Sequence, residues 1–355
     1  MTATAPQPFR LGFLAFVEHS GIGGGRSRGL DEGLELFELA EELGYDVGYV
    51  RHRHLEHYLS APLPFLAAAA QRTSTIRVGT SVTPIRFEDP VRLAEEAGTV
   101  DLLTGGRLEL GLSSGYSNNE GTFSQAYGSI DGSLRAVVDE RVQRFLHAVE
   151  GRTVAVADEQ VPFAKAGTEL PVQPVSPGLR GRIAYGAGSL ASAERTGRQG
   201  LGLQLSTLNT EVTARSFEEA QLACIEAYRA EHAKAAGWRS HASVSRQIAP
   251  YTNAQEQAEL QWLLDRDAQR QGGNPDLPFQ FGRVAAGSGE QIAEALADDV
   301  ALAAADEVVI ALPFDYPASV VRRILTVAAQ DVAPALGWEP ADREAPEQEA
   351  LRQEA

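Results

Sequence analysis

The chain has 355 residues, of which 43% are apolar, so it can bury one large hydrophobic core or two modest ones. A formal net charge of −17 and a pI of about 4.9 argue against nucleic acid or an anionic membrane surface as a partner. Because the sequence shows no basic, apolar signal peptide and no apolar run of membrane-spanning length, we expect a cytoplasmic protein.

Segments with the pattern of strands alternate with segments that have the pattern of helices. The strand segments are short and apolar or alternating, and they cover residues 9–17, 46–51, 76–82, 108–112, 182–185, 201–206, 242–250 and 307–312. The helix segments cover residues 31–43, 62–72, 89–103, 133–149, 189–199, 217–237, 290–305 and 317–336. This alternation predicts the α/β class and a (β/α)8 TIM barrel with insertions, with a doubly wound open sheet as the alternative.

Two irregular segments interrupt the alternation. Residues 151–181 contain four prolines and several short apolar pieces, which predict an excursion of hairpins at one end of the barrel. Residues 269–289 are rich in Gly, Pro, Asn and Gln and are long for an ordinary loop, so we predict a lid there. We expect a single barrel domain over residues 1–338 and an acidic tail over residues 339–355.

The densest polar cluster follows the second predicted strand, where residues 51–57 read RHRHLEH. In a barrel, functional side chains follow the carboxyl ends of the strands. His52 and His54 form an HxH pair that could bind a metal, but His147 and His232 lie on predicted helices, so the remaining ligands are not evident. A solvated strand end is a second interpretation. The pattern favours an imidazole that faces a cofactor or substrate, and we predict no metal site.

Small polar residues follow the fourth and fifth predicted strands. Residues 113–116 read SSGY, a loop whose backbone amides could face an anion. Residues 186–192 match GxGxxA, but residues 203–206 lack the acidic residue that would hold a ribose, which argues against a dinucleotide. A single phosphate at the start of the following helix still fits, with the hydroxyls of Ser189 and Ser192 as donors. A simple helix cap at Ser189 is the alternative, and both can hold together.

Together these stretches resemble the bacterial luciferase-like flavin-dependent monooxygenase family over nearly the whole chain. The motifs that carry the resemblance are Tyr49–His54, Val78–Val82 with Asp89–Glu95, Leu103–Gly111, and Gly186–Ser192 with Gly200–Leu201. The resemblance implies a (β/α)8 barrel that binds FMN at its C-terminal mouth. Reduced FMN (FMNH2) would there react with O2 to give a C4a-(hydro)peroxyflavin, which oxygenates an aldehyde, an aromatic compound or another organic substrate.

The resemblance also implies particular site residues. The peptide between Ser81 and Val82 matches a place where the family often has a non-proline cis bond beneath the isoalloxazine ring. Ser113, Ser114 and Tyr116 match the loop beside the flavin ring. Gly186, Gly188, Ser189 and Ser192 match the phosphate site. Arg135 matches a second arginine that contacts the phosphate.

Two departures from the family pattern bear on the chemistry. Where luciferases have Glu-His-His, this chain has His52-Arg53-His54, so the family's catalytic base falls on Arg53, which cannot deprotonate. His54 matches the second histidine and is expected to contact the ring or transfer a proton. Ser114 stands where luciferases have arginine, and loss of a bidentate cation should weaken phosphate binding. These changes suggest a substrate other than a long-chain aldehyde.

We therefore expect a monooxygenase that hydroxylates or epoxidises a small organic substrate, such as an aromatic or polyketide metabolite. A separate flavin reductase would supply FMNH2, since the chain has no convincing nicotinamide fingerprint. An F420-dependent oxidoreductase of the same superfamily and a non-catalytic flavin-binding partner subunit are alternatives, and a metal-dependent hydrolase is a third. We also expect a homodimer.

Overall fold

Eight parallel strands close into a barrel in the computed structural model, which describes residues 9–115, 120–213, 215–235, 237–272 and 279–340. Numbered in chain order, the strands are β1 Arg10–Phe16, β2 Val47–Arg51, β3 Arg77–Pro84, β4 Leu108–Ser113, β5 Ile183–Ala187, β6 Gly202–Leu205, β7 Ala242–Pro250 and β8 Glu307–Ala311. Each strand pairs with its neighbours in the sequence, and β8 pairs with β1. The predicted TIM barrel is confirmed, and the open sheet is excluded.

Helices between the strands form the outer layer. They are α1 Arg28–Glu42, α2 Pro62–Arg72, α3 Pro90–Leu103, α4 Glu120–Tyr127, α5 Leu134–Val149, α6 Leu190–Arg198, α7 Phe217–His232, α8 Ala254–Glu259, α9 Gln261–Gln271, α10 Gly289–Ala297, α11 Val300–Ala304, α12 Ala318–Val327 and α13 Ala333–Ala335. Short 3₁₀ turns lie at Ile85–Phe87 and Leu179–Arg182, and a π-helical turn at Ala328–Val332 joins α12 to α13. Within the described residues, no helix combines the length and hydrophobicity that crossing a bilayer requires.

Capping residues fix where the helices begin relative to the strand ends. The Asp89 carboxylate accepts hydrogen bonds from the backbone N–H groups of Val91 and Arg92, both at 2.9 Å, and proline follows it at the first helical position of α3. Ser133 and Ser189 cap α5 and α6 in the same manner through their hydroxyls. These caps satisfy amide groups that a helix start leaves without partners.

The predicted excursion lies at the amino end of the barrel because it connects α5 to β5. Its one hairpin pairs Ala155–Val156 with Glu169–Leu170. The Ser176 hydroxyl then donates to the Asp101 carboxylate of α3 at 2.6 Å. The segment therefore packs against helices at the end of the barrel opposite the strand ends that carry function in this architecture.

The predicted lid overlaps a gap in the description, because residues 273–278 lie outside the described residues. On its far side, Gln280–Phe281 pairs with Leu208–Asn209, which follows β6. Val284–Gly287 then adds an extra parallel strand beside β7. A lid role for this segment stays a prediction.

The amino end of the barrel interior holds a layer of ionic and polar side chains, namely Arg10, Tyr49, Arg77, Glu109, His241 and Glu307. Glu109 accepts from Arg10 at 2.8 Å and from Arg77 at 2.5 Å. The Tyr49 hydroxyl lies 2.9 Å from Glu109 and 3.0 Å from Glu307, and Arg10 also pairs with Glu307. Two guanidinium groups thus balance two buried carboxylates, which fills the barrel below the mouth.

Candidate active site

The mouth of the barrel is aromatic and cationic on the side formed by β1, β2 and β8. Alternation along the strands places Phe16 and Arg51 on the inward face, and the Arg51 guanidinium lies 5.6 Å from the Phe16 ring centroid. Phe314, which follows β8, has its ring centroid 5.4 Å from that of Phe16. Arg266 of α9 lies 5.0 Å from the ring centroids of both Trp262 and Phe314.

Small residues bring strands close together at the centre of the mouth. The Ser81–Val82 peptide bond is cis, as the family resemblance implied. The Val82 side chain packs against Gly186 of β5, where an added Cβ would lie 3.0 Å from Val82 Cγ1. A Cβ at Gly111 would lie 2.0 Å from Gln204 Oε1, so only glycine leaves room for that amide.

Gln204 supplies a polar atom that the described residues leave unsatisfied. Its side chain is buried, and its amide nitrogen lies at 3.5 Å from the Thr80 carbonyl. Its Oε1 is buried and accepts no hydrogen bond in the described part of the chain. An unpaired buried acceptor costs roughly 1–3 kcal/mol, so this atom marks a place where a ligand with an N–H or O–H donor would be stabilised.

A second polar group lies at the ends of β4 and β5, at the start of α6. The Ser189 hydroxyl caps α6 by accepting from the Ser192 N–H at 3.3 Å. Arg195 donates to the Ser192 hydroxyl at 3.3 Å and is therefore beside the same helix start. Burial raises the pKa of Tyr185 and the neighbouring Ser114 side chain lowers it, so Ser114 lies beside β5.

Two arginines contribute positive charge to this group, and one of them is paired with a carboxylate. Burial lowers the pKa of Arg195, and the neighbouring positive charge of Arg135 lowers it further. Arg135 itself is more than half exposed and donates to Asp139 at 2.6 Å. The predicted residues Arg135, Ser189 and Ser192 thus lie with Arg195, which was not predicted. Its three-residue spacing from Ser192, which places both on one helix face, was the available signal.

A carboxylate lies at the same helix start. The backbone N–H of Leu190 donates to Glu211 at 3.3 Å, and Glu211 is exposed. The local packing requires glycine at position 188, because an added Cβ there would lie 2.7 Å from Thr210 Cγ2. Thr210 donates through both its N–H and its hydroxyl to the Gly188 carbonyl, each at 2.8 Å. Any anion bound to this helix start would displace Glu211.

The histidine cluster forms a separate group at the ends of β2 and β3. The rings of His52 and His54 are 5.1 Å apart between centroids. His54 also contacts the rings of Phe87, at 5.0 Å, and Tyr127, at 4.9 Å. Burial, with His54 and Arg51 nearby, lowers the pKa of His52 to about 3, and burial also lowers the pKa of His54. Burial therefore favours the neutral form of both imidazoles and makes them weaker bases than an exposed histidine.

The remaining predicted residues join neither the phosphate group nor the histidine cluster. Arg53 pairs with Glu56 at 3.3 Å and is about one-third exposed. Ser113 accepts from the Gly115 N–H at 3.2 Å, which holds the loop after β4 in a turn. Tyr116 lies outside the described residues.

The family model described as luciferase-like monooxygenase matches residues 9–312, and the chain belongs to this family of enzymes. The 4-hydroxyprotoasukamycin monooxygenase of Streptomyces nodosus subsp. asukaensis is 39% identical over 84 residues, which is 23% of each chain. The oxygenase component of the flavin-dependent trigonelline monooxygenase of Acinetobacter baylyi is 34% identical over 87 residues, 24% of each chain. The matched stretch spans about a quarter of the length of these relatives.

Similarity to solved structures extends over almost the whole fold. The oxygenating constituent of 3,6-diketocamphane monooxygenase from Pseudomonas putida, a type II Baeyer–Villiger monooxygenase in complex with FMN, superposes with a TM-score of 0.68. The superposition covers 92% of this chain and 98% of that chain at 16% identity. This likeness establishes the barrel fold.

The residues at the mouth fit the flavin that the family implies. Arg195, Arg135 and the hydroxyls of Ser189 and Ser192 provide the cations and donors that a phosphate requires. Gln204 Oε1 is a buried acceptor beside Gly111 that has no hydrogen bond in the described part of the chain. Glu211 and Asp139, the latter paired with Arg135, are carboxylates near this group that oppose an anion.

Proposed function

We propose that this enzyme is a monooxygenase that uses FMNH2 and O2 and inserts one oxygen atom into a small organic substrate. The observation that carries the proposal is the joint placement of Arg195, Ser189 and Ser192 beside the helix start that follows β5. Such a group suits a single flavin phosphate better than the longer diphosphate of a dinucleotide. Bound FMNH2 supplies the two electrons that reduce O2, one oxygen atom entering the substrate and the other leaving as water.

The protein's own residues would orient the flavin and manage protons. Ser81, Val82 and Ser113, with the Gly186 and Gly188 backbone, would line the flavin, and Gln204 would accept a hydrogen bond from it. His54 would accept or return a proton through its Nε2, which is buried and has no hydrogen bond among the described residues. Arg53 cannot be a base, and its proposed role is limited to positioning through Glu56.

An aromatic substrate is supported by the side chains at the β1, β2 and β8 ends. Phe16, Phe314 and Trp262 offer aromatic surface, while Arg51 and Arg266 offer positive charge over those rings. Rings of this kind favour planar ligands, and the guanidinium groups favour electron-rich or anionic substituents. We therefore propose hydroxylation or epoxidation of an aromatic or polyketide-like metabolite.

A separate flavin reductase is proposed as the functional partner. The relative from Acinetobacter baylyi is named as an oxygenase component, which supports a two-component system. The predicted homodimer stays a prediction, and sedimentation velocity of the full chain would test it.

The experiment supplies FMNH2 and ¹⁸O2 to the enzyme together with a panel of aromatic acids, phenols and polyketide-like quinones. The expected result is a product that carries one ¹⁸O atom and requires both FMNH2 and O2, as measured by mass spectrometry. Turnover of reduced F420, with no reaction of FMNH2, would instead identify the F420-dependent alternative. Flavin binding that yields a product only after a second protein is added would identify a non-catalytic subunit.

A further inference from the structure

A partly buried group of metal-binding side chains lies beside the mouth, apart from the residues that would hold the flavin phosphate. Ligand atoms of His52, His54 and Glu88 all lie within 4.8 Å of one another. His52 and His54 follow β2, whereas Glu88 follows the 3₁₀ turn after β3. The three side chains therefore come from two neighbouring βα units, and the closed sheet brings them together.

Three of the four imidazole nitrogens of this group have no hydrogen-bond partner among the described residues. His52 is 4% exposed, and both its Nδ1 and its Nε2 are buried without a hydrogen bond from or to any described residue. His54 Nε2 is buried and unpaired in the same part of the structure. Buried polar atoms in native proteins are nearly always satisfied, so three unpaired ring nitrogens in one place indicate a ligand.

The composition of the group selects the kind of ligand. Two imidazoles and one carboxylate suit divalent transition metals such as Zn²⁺ and Co²⁺, whereas Mg²⁺ and Ca²⁺ prefer oxygen ligands only. The rings of Phe87 and Tyr127 pack against the His54 ring. Such apolar surface excludes water, which strengthens the electrostatic attraction between a metal ion and its ligands. His54 and Glu88 are each half-buried, so an ion can enter from the mouth.

We propose that His52, His54 and Glu88 form a binding site for one divalent transition-metal ion of the Zn²⁺ class. The site shares His54 with the proposed function, so an ion bound there removes the imidazole that would transfer protons. Metal binding would therefore inhibit the oxygenase, and chelation would restore it. The metal site itself does not depend on the identity of the flavin.

The first test uses tag-free, EDTA-dialysed protein without flavin. Co²⁺ is titrated, and its visible d–d absorption is recorded, because this absorption reports nitrogen ligands directly. We expect saturation at one Co²⁺ per chain and displacement by Zn²⁺. Absence of a saturable Co²⁺ signal, with Zn²⁺ also failing to bind in a competition with a chromophoric chelator, would overturn the proposal.

Variants identify the ligands. Glu88→Gln and His54→Gln should each raise the Co²⁺ dissociation constant by at least roughly 10- to 100-fold. Loss of a residue that only hydrogen-bonds to a metal ligand already weakens binding by that factor, and loss of a ligand itself should cost no less. The matched control is His57→Gln, because His57 is exposed in the same segment and pairs with Asp315 instead. Near-UV circular dichroism confirms that each variant is folded. Unchanged Co²⁺ affinity in a folded Glu88→Gln variant would contradict the assigned ligand set.

The inhibitory role is tested separately with whichever flavin supports turnover. Zn²⁺ should reduce turnover of the wild-type enzyme, EDTA should reverse the loss, and Glu88→Gln should be less sensitive to Zn²⁺. Saturable Co²⁺ binding without any effect of Zn²⁺ on turnover would overturn the inhibitory role. Failure of FMNH2 turnover with intact Co²⁺ binding would count against the proposed function alone.

Discussion

At the residue scale, Ser114 stands where the family resemblance implies an arginine, and we propose that Arg195 supplies the phosphate contact instead. Arg195 lies one helical turn after Ser192 and donates to its hydroxyl. In this proposal the cation that contacts the phosphate lies on the helix after β5 and not in the loop after β4. The sequence predicted a weakened phosphate site because it could not show that Arg195 approaches this strand end. The position of an arginine on a helix face does not reveal which strand end its side chain reaches.

Replacing Arg195 with Gln should weaken binding of FMNH2. A hydrogen bond to a charged group contributes roughly 1.5–3 kcal/mol, so we expect the dissociation constant to rise by about 10- to 100-fold. Anaerobic fluorescence titration measures this constant. Riboflavin, which lacks the phosphate, is the control ligand, and an equal loss of affinity for both ligands would contradict a phosphate contact.

Replacing Glu211 with Gln should have the opposite effect. Its carboxylate lies at the N-terminus of α6, where a phosphate would bind, so its removal abolishes a like-charge repulsion. We expect the FMN dissociation constant to fall by about two- to fivefold, which corresponds to roughly 0.3–1 kcal/mol. Glu194→Gln is a matched control, because Glu194 is on the same helix and pairs with Arg198. Equal effects of the two variants would show that only net charge matters.

At the scale of elements, the strands were predictable and several helices were not. All eight barrel strands were predicted because buried parallel strands are apolar and short. Helices α4 and α8 bury none of their residues, so they have no apolar stripe to detect. The predicted helix over residues 290–305 is instead two helices, because Asp299 caps α11 and pairs with Arg246 at 2.6 Å. Such a tertiary ion pair is not visible in a local pattern.

Arg107 joins three elements, and its removal should destabilise the fold. The buried guanidinium donates to carbonyls at the ends of α2 and α3 and before β3, at Ala70, Thr104 and Ile76, each at 2.8 Å. Arg107→Met would leave these acceptors buried and unpaired, so we expect a loss of roughly 2–4 kcal/mol in the free energy of unfolding. Urea denaturation measures it.

The matched control for that prediction is Arg144→Met. Arg144 is exposed and pairs only weakly with Glu140 on its own helix, at 3.4 Å. A change of less than about 0.5 kcal/mol is expected there. Similar losses in both variants would contradict a structural role specific to Arg107.

At the scale of the whole molecule, the sequence predicted polar side chains at particular strand ends but not which side chains meet. Ser189 and Ser192 follow β5 in a recognisable motif, so their placement was predictable. Glu88 could not be joined to the HxH motif, because the two lie in different βα units and only the closed sheet sets their distance. Gln204 gave no signal either, since an amide inside an apolar strand becomes informative only when its unpaired oxygen is seen.

The ionic layer at the amino end of the barrel should make the free energy of unfolding decrease at acidic pH. Burial alone would raise the pKa of Glu109 and Glu307, but the charge of Arg10 more than offsets this and holds both pKa values below the usual range. Such carboxylates stabilise the fold fully above the unfolded pKa, about 4.3, and lose that contribution as the pH falls further. Urea midpoints measured from about pH 6 down to about pH 3 should therefore fall most steeply below about pH 4.5.

Glu307→Gln provides the comparison for this acid effect. It should lower stability at neutral pH and flatten the decline below about pH 4.5, because one of the two carboxyl groups no longer takes up a proton. Glu140→Gln, on the exposed face of α5, should keep the wild-type pH profile. An unchanged acid profile in a folded Glu307→Gln variant would contradict the assignment.

We propose that the mouth of this barrel binds reduced FMN through its phosphate. An anaerobic titration of the wild-type enzyme with FMNH2, riboflavin and reduced F420, followed by protein fluorescence, tests it most directly. We predict that FMNH2 binds at micromolar concentration and at least about tenfold more tightly than either of the others. Tighter binding of reduced F420, or no binding of FMNH2 at micromolar concentration, would contradict the claim.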